Sequence, residues 1–123
     1  MKRDLATMRK IALFTEEQNG SFASFDIQFD GVDSGEVAYN LRMMIKGGLI
    51  DGKETSPGDR LHSPEYDIDG LTWEGHEFLD SVRTDSLFHM LLDKIKPLGG
   101  TVSMETLKHL SKLLAANLSG LGD

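Results

Sequence analysis

Gly47-Gly48-Leu49-Ile50, answered by Leu71-Thr72-Trp73-Glu74-Gly75-His76-Glu77-Phe78-Leu79-Asp80, is the sequence on which the fold turns. A glycine pair stops a helix because the residue after the last turn often needs a left-handed backbone, which glycine adopts cheaply. The preceding residues, 35–47, carry a stripe of Val37, Ala38, Leu41, Met44 and Ile45 at helical spacing, with Ser34 as the expected N-cap. Leu49-Ile50 then begins a short strand. Residues 51–65 hold Gly52, Pro57, Gly58 and Pro64 among charges and read as an exposed loop. Tyr66 to Leu71 alternates and reads as the returning strand. Thr72 is placed to cap a helix over 73–83, with Trp73, Phe78, Leu79 and Val82 directed inward. Gly75 would let the start of that helix press closely on the hairpin.

Working outward, residues 4–18 show Leu5, Met8, Ile11 and Ala12 on one helical face, ended by Asn19-Gly20. Residues 22–29 alternate, with Phe25, Ile27 and Phe29 two apart, and predict a strand with one buried face. A helix over 85–96 carries Leu87, Leu91, Leu92 and Ile95 and breaks at Pro97 and Gly99-Gly100. The last helix follows Ser103 and presents Leu107, Leu110, Leu114 and Leu118, a stripe suited to the core or to a homodimer. The expected class is α+β: helix, short strand, helix, β-hairpin, helix, then two additional C-terminal helices. Residues 1–123 are read as one domain, with a core over 1–83 and a helical extension over 84–123.

A helix delivered through Gly-Leu-Ile into a hairpin, with Leu-Thr-x-x-Gly opening the next helix, resembles winged-helix proteins. The Leu71–Asp80 stretch, together with Met1-Lys2-Arg3-Asp4, Glu36-Val37-Ala38-Tyr39-Asn40-Leu41 and Gly48-Leu49-Ile50, resembles a bacterial and prophage family. That family carries only a domain-of-unknown-function label, number 2513. The similarity is read over nearly the whole chain, including Gly99-Gly100 and the last helix, and it implies no activity. The winged-helix likeness implies double-stranded DNA as a partner. Helix 35–47 would then enter the major groove through Asn40, Arg42 and Lys46, with Lys53 and Arg60 of the hairpin on the backbone. One departure is visible: DNA-binding members place a supporting helix where this chain has the alternating run. The alternative partner is a protein that uses the same scaffold.

Charge weighs on that choice. Residues 1–48 hold six basic and seven acidic side chains, residues 49–83 three and nine, and residues 84–123 four of each. An acidic middle repels nucleic acid and anionic membrane unless its acids face away. The chain has no cysteine, which excludes disulfides and thiolate chemistry and suits a cytoplasmic setting. The first residues lack the apolar stretch of a signal peptide, and no run approaches the roughly 20 apolar residues of a membrane span.

Three motif fragments suggest chemistry and fail on their own terms. Gly47 to Lys53 spells most of a P-loop, but Glu54 stands where a hydroxyl is needed, and the order of elements is reversed. His76 and Asp80 share a helix face as zinc ligands would, without an evident third ligand. Asp26-x-Gln28-x-Asp30-Gly31 opens like a calcium loop, yet Val37 falls where the bidentate glutamate belongs. No nucleophile–base spacing specifies a triad. The expectation is a non-enzymatic protein with no catalytic residue, no metal and no cofactor.

Overall fold

The computed structural model describes residues 2–99 and 102–121, with side chains described as far as residue 116. Helix α1 spans Leu5–Glu17, strand β1 Phe22–Ala23, helix α2 Ser34–Lys46, strand β2 Ile50–Ser56 and strand β3 Glu65–Leu71. Helices α3 (Trp73–Val82), α4 (Asp85–Ile95) and α5 (Met104–Leu121) follow. The strands form one antiparallel sheet in the order β1-β3-β2. The class is α+β, and the order of elements through α3 is the one expected.

The join between α2 and the hairpin holds the architecture. Gly48 has φ +82, its N–H donates to the Ile45 carbonyl at 3.2 Å, and the Leu49 N–H donates to the Met44 carbonyl at 2.9 Å. This paired pattern closes a helix C-terminus through a left-handed residue. The next carbonyls are also taken. Gly47 O accepts from Lys108 Nζ at 3.1 Å, Gly48 O from the Thr72 hydroxyl at 2.6 Å, and Leu49 O from the Thr72 N–H at 3.1 Å. Thr72 is also the N-cap of α3, its hydroxyl accepting from the Gly75 N–H at 3.0 Å. One threonine therefore caps a helix and fastens it to the hairpin. Gly75 completes the seam: a Cβ there would run into the Leu49 carbonyl oxygen.

The hairpin is longer than expected. Residues 51–56 and Glu65 belong to the strands, so the exposed loop shrinks to 57–64. Charged residues are tolerated because one face of an antiparallel sheet can meet water. Tyr66 and Ile68 point into the core, while Asp51, Lys53, Glu65, Asp67 and Asp69 are exposed.

The strand expected over 22–29 is mostly absent. Only Phe22 and Ala23 pair with β3, opposite Ile68 and Asp67. The next donor on β3, the Tyr66 N–H, goes instead to the Ser24 hydroxyl at 2.8 Å. The chain then turns through a 3-10 helix over Ser24–Asp26, closed by the Ile27 N–H donating to Ser24 O at 3.1 Å. The alternation breaks accordingly. Ile27 is buried, Phe29 meets Phe14 edge-on with centroids 6.2 Å apart, and Phe25 is 63 % exposed. Helix α2 starts one residue earlier than expected, capped by Asp33, whose carboxylate accepts from Gly35 N and Glu36 N.

A single buried cluster links Met8 and Ile11 of α1, Leu41 and Met44 of α2, Phe78 and Leu79 of α3, Leu91 and Ile95 of α4, and Leu107 and Leu114 of α5. Helix α5 packs along α3, with Leu107, Ser111 and Leu114 buried, so these leucines are occupied within the chain, while Leu113 is half exposed. Leu118 lies outside the described side chains. Trp73 was expected inside and is 79 % exposed. Once Gly75, Phe78, Leu79 and Val82 face the core, a residue two before Gly75 is carried to the opposite side of the helix.

Two arginines tie α1 to the C-terminal half of the chain. Arg83 grips both carboxylate oxygens of Glu16 at 2.8 Å and reaches Asp80 at 3.0 Å. The hydrogen bonds and charge of Arg83 hold the Glu16 carboxyl below its ordinary value, with His76 adding slightly and partial burial opposing. A depressed carboxyl pKa contributes stability above the ordinary carboxylate range, and that contribution is lost as pH falls through the folded-state value. Both side chains are a third or more exposed, so screening keeps the cost of Arg83→Ala near 0.5–1 kcal/mol, an order-of-magnitude figure. Urea midpoints should show that gap at about pH 7 and a smaller one at about pH 3. A gap independent of pH would mean that the clamp acts by packing alone.

Candidate macromolecule-binding face

The expected reading residues do not come together. Asn40 is fully buried. Its Oδ1 accepts from the Asp4 N–H at 2.8 Å and its Nδ2 donates to Glu36 O at 2.9 Å. The assignment of Asn40 as an outward base-reading residue is therefore overturned: it ties the start of α1 to α2. The sequence held a signal, since Asn40 stands three after Val37 and four before Met44, inside the apolar stripe.

Arg42 and Lys46 are exposed one turn apart on α2, as expected. Arg42 shares its surroundings with an acid. Burial raises the Tyr66 hydroxyl pKa above its ordinary value, Arg42 opposes that rise and Glu54 adds to it, so both charges lie within reach of one phenol. Lys53 is exposed on the outer face of the sheet, directly opposite Asp67 in register. Arg60 is exposed in the hairpin loop next to Asp59. The Asp59 carboxylate accepts from the Leu61 and His62 N–H groups, both at 2.8 Å, and these bonds, with the His62 ring, hold its pKa below the ordinary value. Arg9, a further base in the N-terminal half, is spent elsewhere. Its guanidinium meets Asp85 at 3.1 Å and Arg83 O at 3.0 Å and lies over the Phe88 ring, 5.3 Å from its centroid. Among the described residues no three His, Asp or Glu side chains gather as a metal site would require, and Asp80 of the zinc-like fragment is held by Arg83.

What the fold does assemble is a groove of about 440 Å³ between the 3-10 turn, the first half of α2 and the hairpin loop. Ile27, Val37, Leu41 and Tyr66 line it, with Phe25 and Leu61 among its wall residues. Phe25 is 63 % and Leu61 88 % exposed. One acid, Glu65, and one histidine, His62, are in the lining, and further acids adjoin the lining residues along the chain. Asp26 sits between Phe25 and Ile27 in sequence, Asp33 precedes the lining Ser34, Asp59 fastens the Leu61 turn, and Glu65 lines the groove itself. Sequence reasoning missed both apolar residues: Phe25 was assigned to a buried strand face, and Leu61 is a lone leucine in a polar loop.

The sequence model of a family described as "Hypothetical protein (DUF2513)" matches residues 2–102. The chain belongs to the DUF2513 family. The match ends just before α5, so the similarity expected of the last helix is not carried by the family pattern. This DUF2513 chain is also 29 % identical over 119 residues to an uncharacterized protein of Haemophilus influenzae, covering 96 % of this chain and 98 % of that one. No solved structure matches it significantly. No helix among the described residues is long and apolar enough to cross a membrane.

Proposed function

We propose that this DUF2513 chain catalyses no reaction and works by binding another protein in the groove between α2 and the hairpin loop. The observation that carries this reading is the exposure of Phe25 and Leu61 beside an apolar trough. Large apolar side chains held in water next to a concave surface are what interface hot spots look like before they are covered. The acids around the trough select the partner's chemistry: one or two apolar side chains flanked by lysine or arginine.

The DNA reading is less well supported by the same face. Firm DNA binding draws on about 6–10 phosphate contacts. Asn40 is internal, Arg9 is committed to Asp85, and Lys53 stands opposite Asp67. A single 3-10 turn occupies the place of the supporting helix.

The test is selection from a displayed random peptide library on the intact protein. Peptides combining an apolar side chain with adjacent Lys or Arg should be enriched. Phe25→Asp and Leu61→Asp, both surface changes, should each weaken the selected peptides by at least about tenfold without lowering the melting temperature. Salt-sensitive binding to a mixed duplex DNA pool that disappears in Arg42→Ala/Lys46→Ala, with no peptide enriched, would overturn the proposal in favour of a DNA regulator.

A further inference from the structure

A second concavity lies away from the groove and shares no residue with it. It is a half-open pocket of about 280 Å³ between the start of α1, the inner side of α4 and the start of α5. Leu5, Met8, Phe88, Leu92, Ile95 and Met104 supply most of its wall. Such a lining offers water in the pocket few hydrogen bonds, so an apolar body displaces that water at little cost.

The polar groups at the cavity are Arg3 and Asp4, and they are not equivalent. The Asp4 carboxylate is consumed by α1, one oxygen accepting from the Ala6 N–H at 3.2 Å and the other from the Thr7 hydroxyl at 2.9 Å. Arg3 is exposed and makes no ion pair among the described residues. The pocket therefore offers an apolar interior with Arg3, whose guanidinium fork fits a carboxylate, beside an Asp4 carboxylate whose oxygens are already engaged by α1. Volume sets the size. A dry cavity of about 150 Å³ takes a benzene ring, so about 280 Å³ takes roughly ten to twelve heavy atoms.

We propose that this cavity binds a small amphiphilic monocarboxylate, its hydrocarbon body among Met8, Phe88, Leu92 and Met104 and its carboxylate on Arg3. The occupant would adjoin α2, because the Met104 side chain lies against Gly47, the C-terminal cap of that helix. The site stands or falls independently of the groove.

Octanoate is the probe and 1-octanol its uncharged counterpart, each titrated into the full chain labelled at the methionine methyls and followed by NMR. Saturable shifts of the Met8 and Met104 methyls are expected with octanoate, together with backbone shifts at Gly47-Gly48. Octanoate should bind about two- to fivefold more tightly than octanol, the modest factor reflecting the exposure of Arg3. Arg3→Ala should remove that preference while leaving octanol binding unchanged. Leu92→Trp, which fills the cavity, should weaken both ligands by at least about tenfold. Non-saturating shifts, or saturation that leaves Met8 and Met104 unmoved, would overturn the site. Equal affinity for the two ligands in the wild type would overturn the role of Arg3. Should Leu92→Trp not fold, the shift map and the surface variant Arg3→Ala decide the matter without it.

Discussion

Gly75→Ala should destabilise the chain by about 2–4 kcal/mol, the range of severe steric changes at a packed seam. The substitution would ordinarily help a helix, since alanine is favoured over glycine in its interior by about 1 kcal/mol. Here the added methyl would be driven into the Leu49 carbonyl oxygen. That oxygen cannot retreat freely, because it accepts the Thr72 N–H at 3.1 Å. Relief requires α3 to lift from the hairpin. Lifting it breaks the Thr72 bond and opens the seam beside Phe78 and Leu79, both fully buried. Urea unfolding should show a lower midpoint at an unchanged slope, the mark of altered stability with an intact two-state transition. Gly20→Ala is the control, because a Cβ there meets nothing within 4 Å; it should stay within about 0.5 kcal/mol of wild type. A wild-type midpoint for Gly75→Ala would mean that the seam is not as tight as the structure has it.

The part of the fold that depends on Gly75 was also the part most legible in the sequence. Gly47-Gly48, Thr72 and Gly75 act through local backbone chemistry: a left-handed turn, an N-cap and a missing Cβ. Such devices are visible in a few consecutive residues. The run at 22–29 was misread because its decisive interaction is not local. Ser24 draws the Tyr66 N–H away from the ladder across 42 residues of sequence, and no alternation of phenylalanines reveals that. Trp73 was misread because, next to the base of the hairpin, it was grouped with the inward residues of α3, whereas the phase set by Phe78, Leu79 and Val82 turned it outward.

The candidate face was less legible for the same physical reason. Phe25 gains its exposure from the 3-10 turn, and Leu61 stands out only once the Asp59 carboxylate has folded its loop back over two N–H groups. Residue chemistry correctly singled out Arg42 and Lys46 as exposed cations. It could not report that Glu54 would share the surroundings of Arg42 or that Lys53 would stand opposite Asp67. A charge read from sequence gains its meaning from what the fold sets across from it.

Asn40 concentrates that lesson, and its replacement should separate the two readings of α2. If Asn40 read bases, Asn40→Ala would leave stability untouched and reduce DNA affinity alone. In the structure it is buried, and its amide holds the Asp4 N–H at 2.8 Å. Alanine would leave that N–H without its acceptor and open a void beside Leu41 and Met44. The expected loss is about 2 kcal/mol, the usual cost of stranding one buried or half-buried hydrogen-bonding group with a small cavity. Asn40→Leu removes the hydrogen bond without opening the void. Leucine has the same branching and leaves no void, but it is bulkier and still deprives the Asp4 N–H of its partner, so it should not restore wild-type stability. Hydrogen exchange adds a local readout, because Asp4 is the N-cap of α1. In both variants the amides of the first turn of α1 should exchange faster, while those of the hairpin keep their protection. An Asn40→Ala protein with a wild-type urea midpoint and unchanged exchange at the start of α1 would return Asn40 to the surface and reopen the major-groove reading of α2.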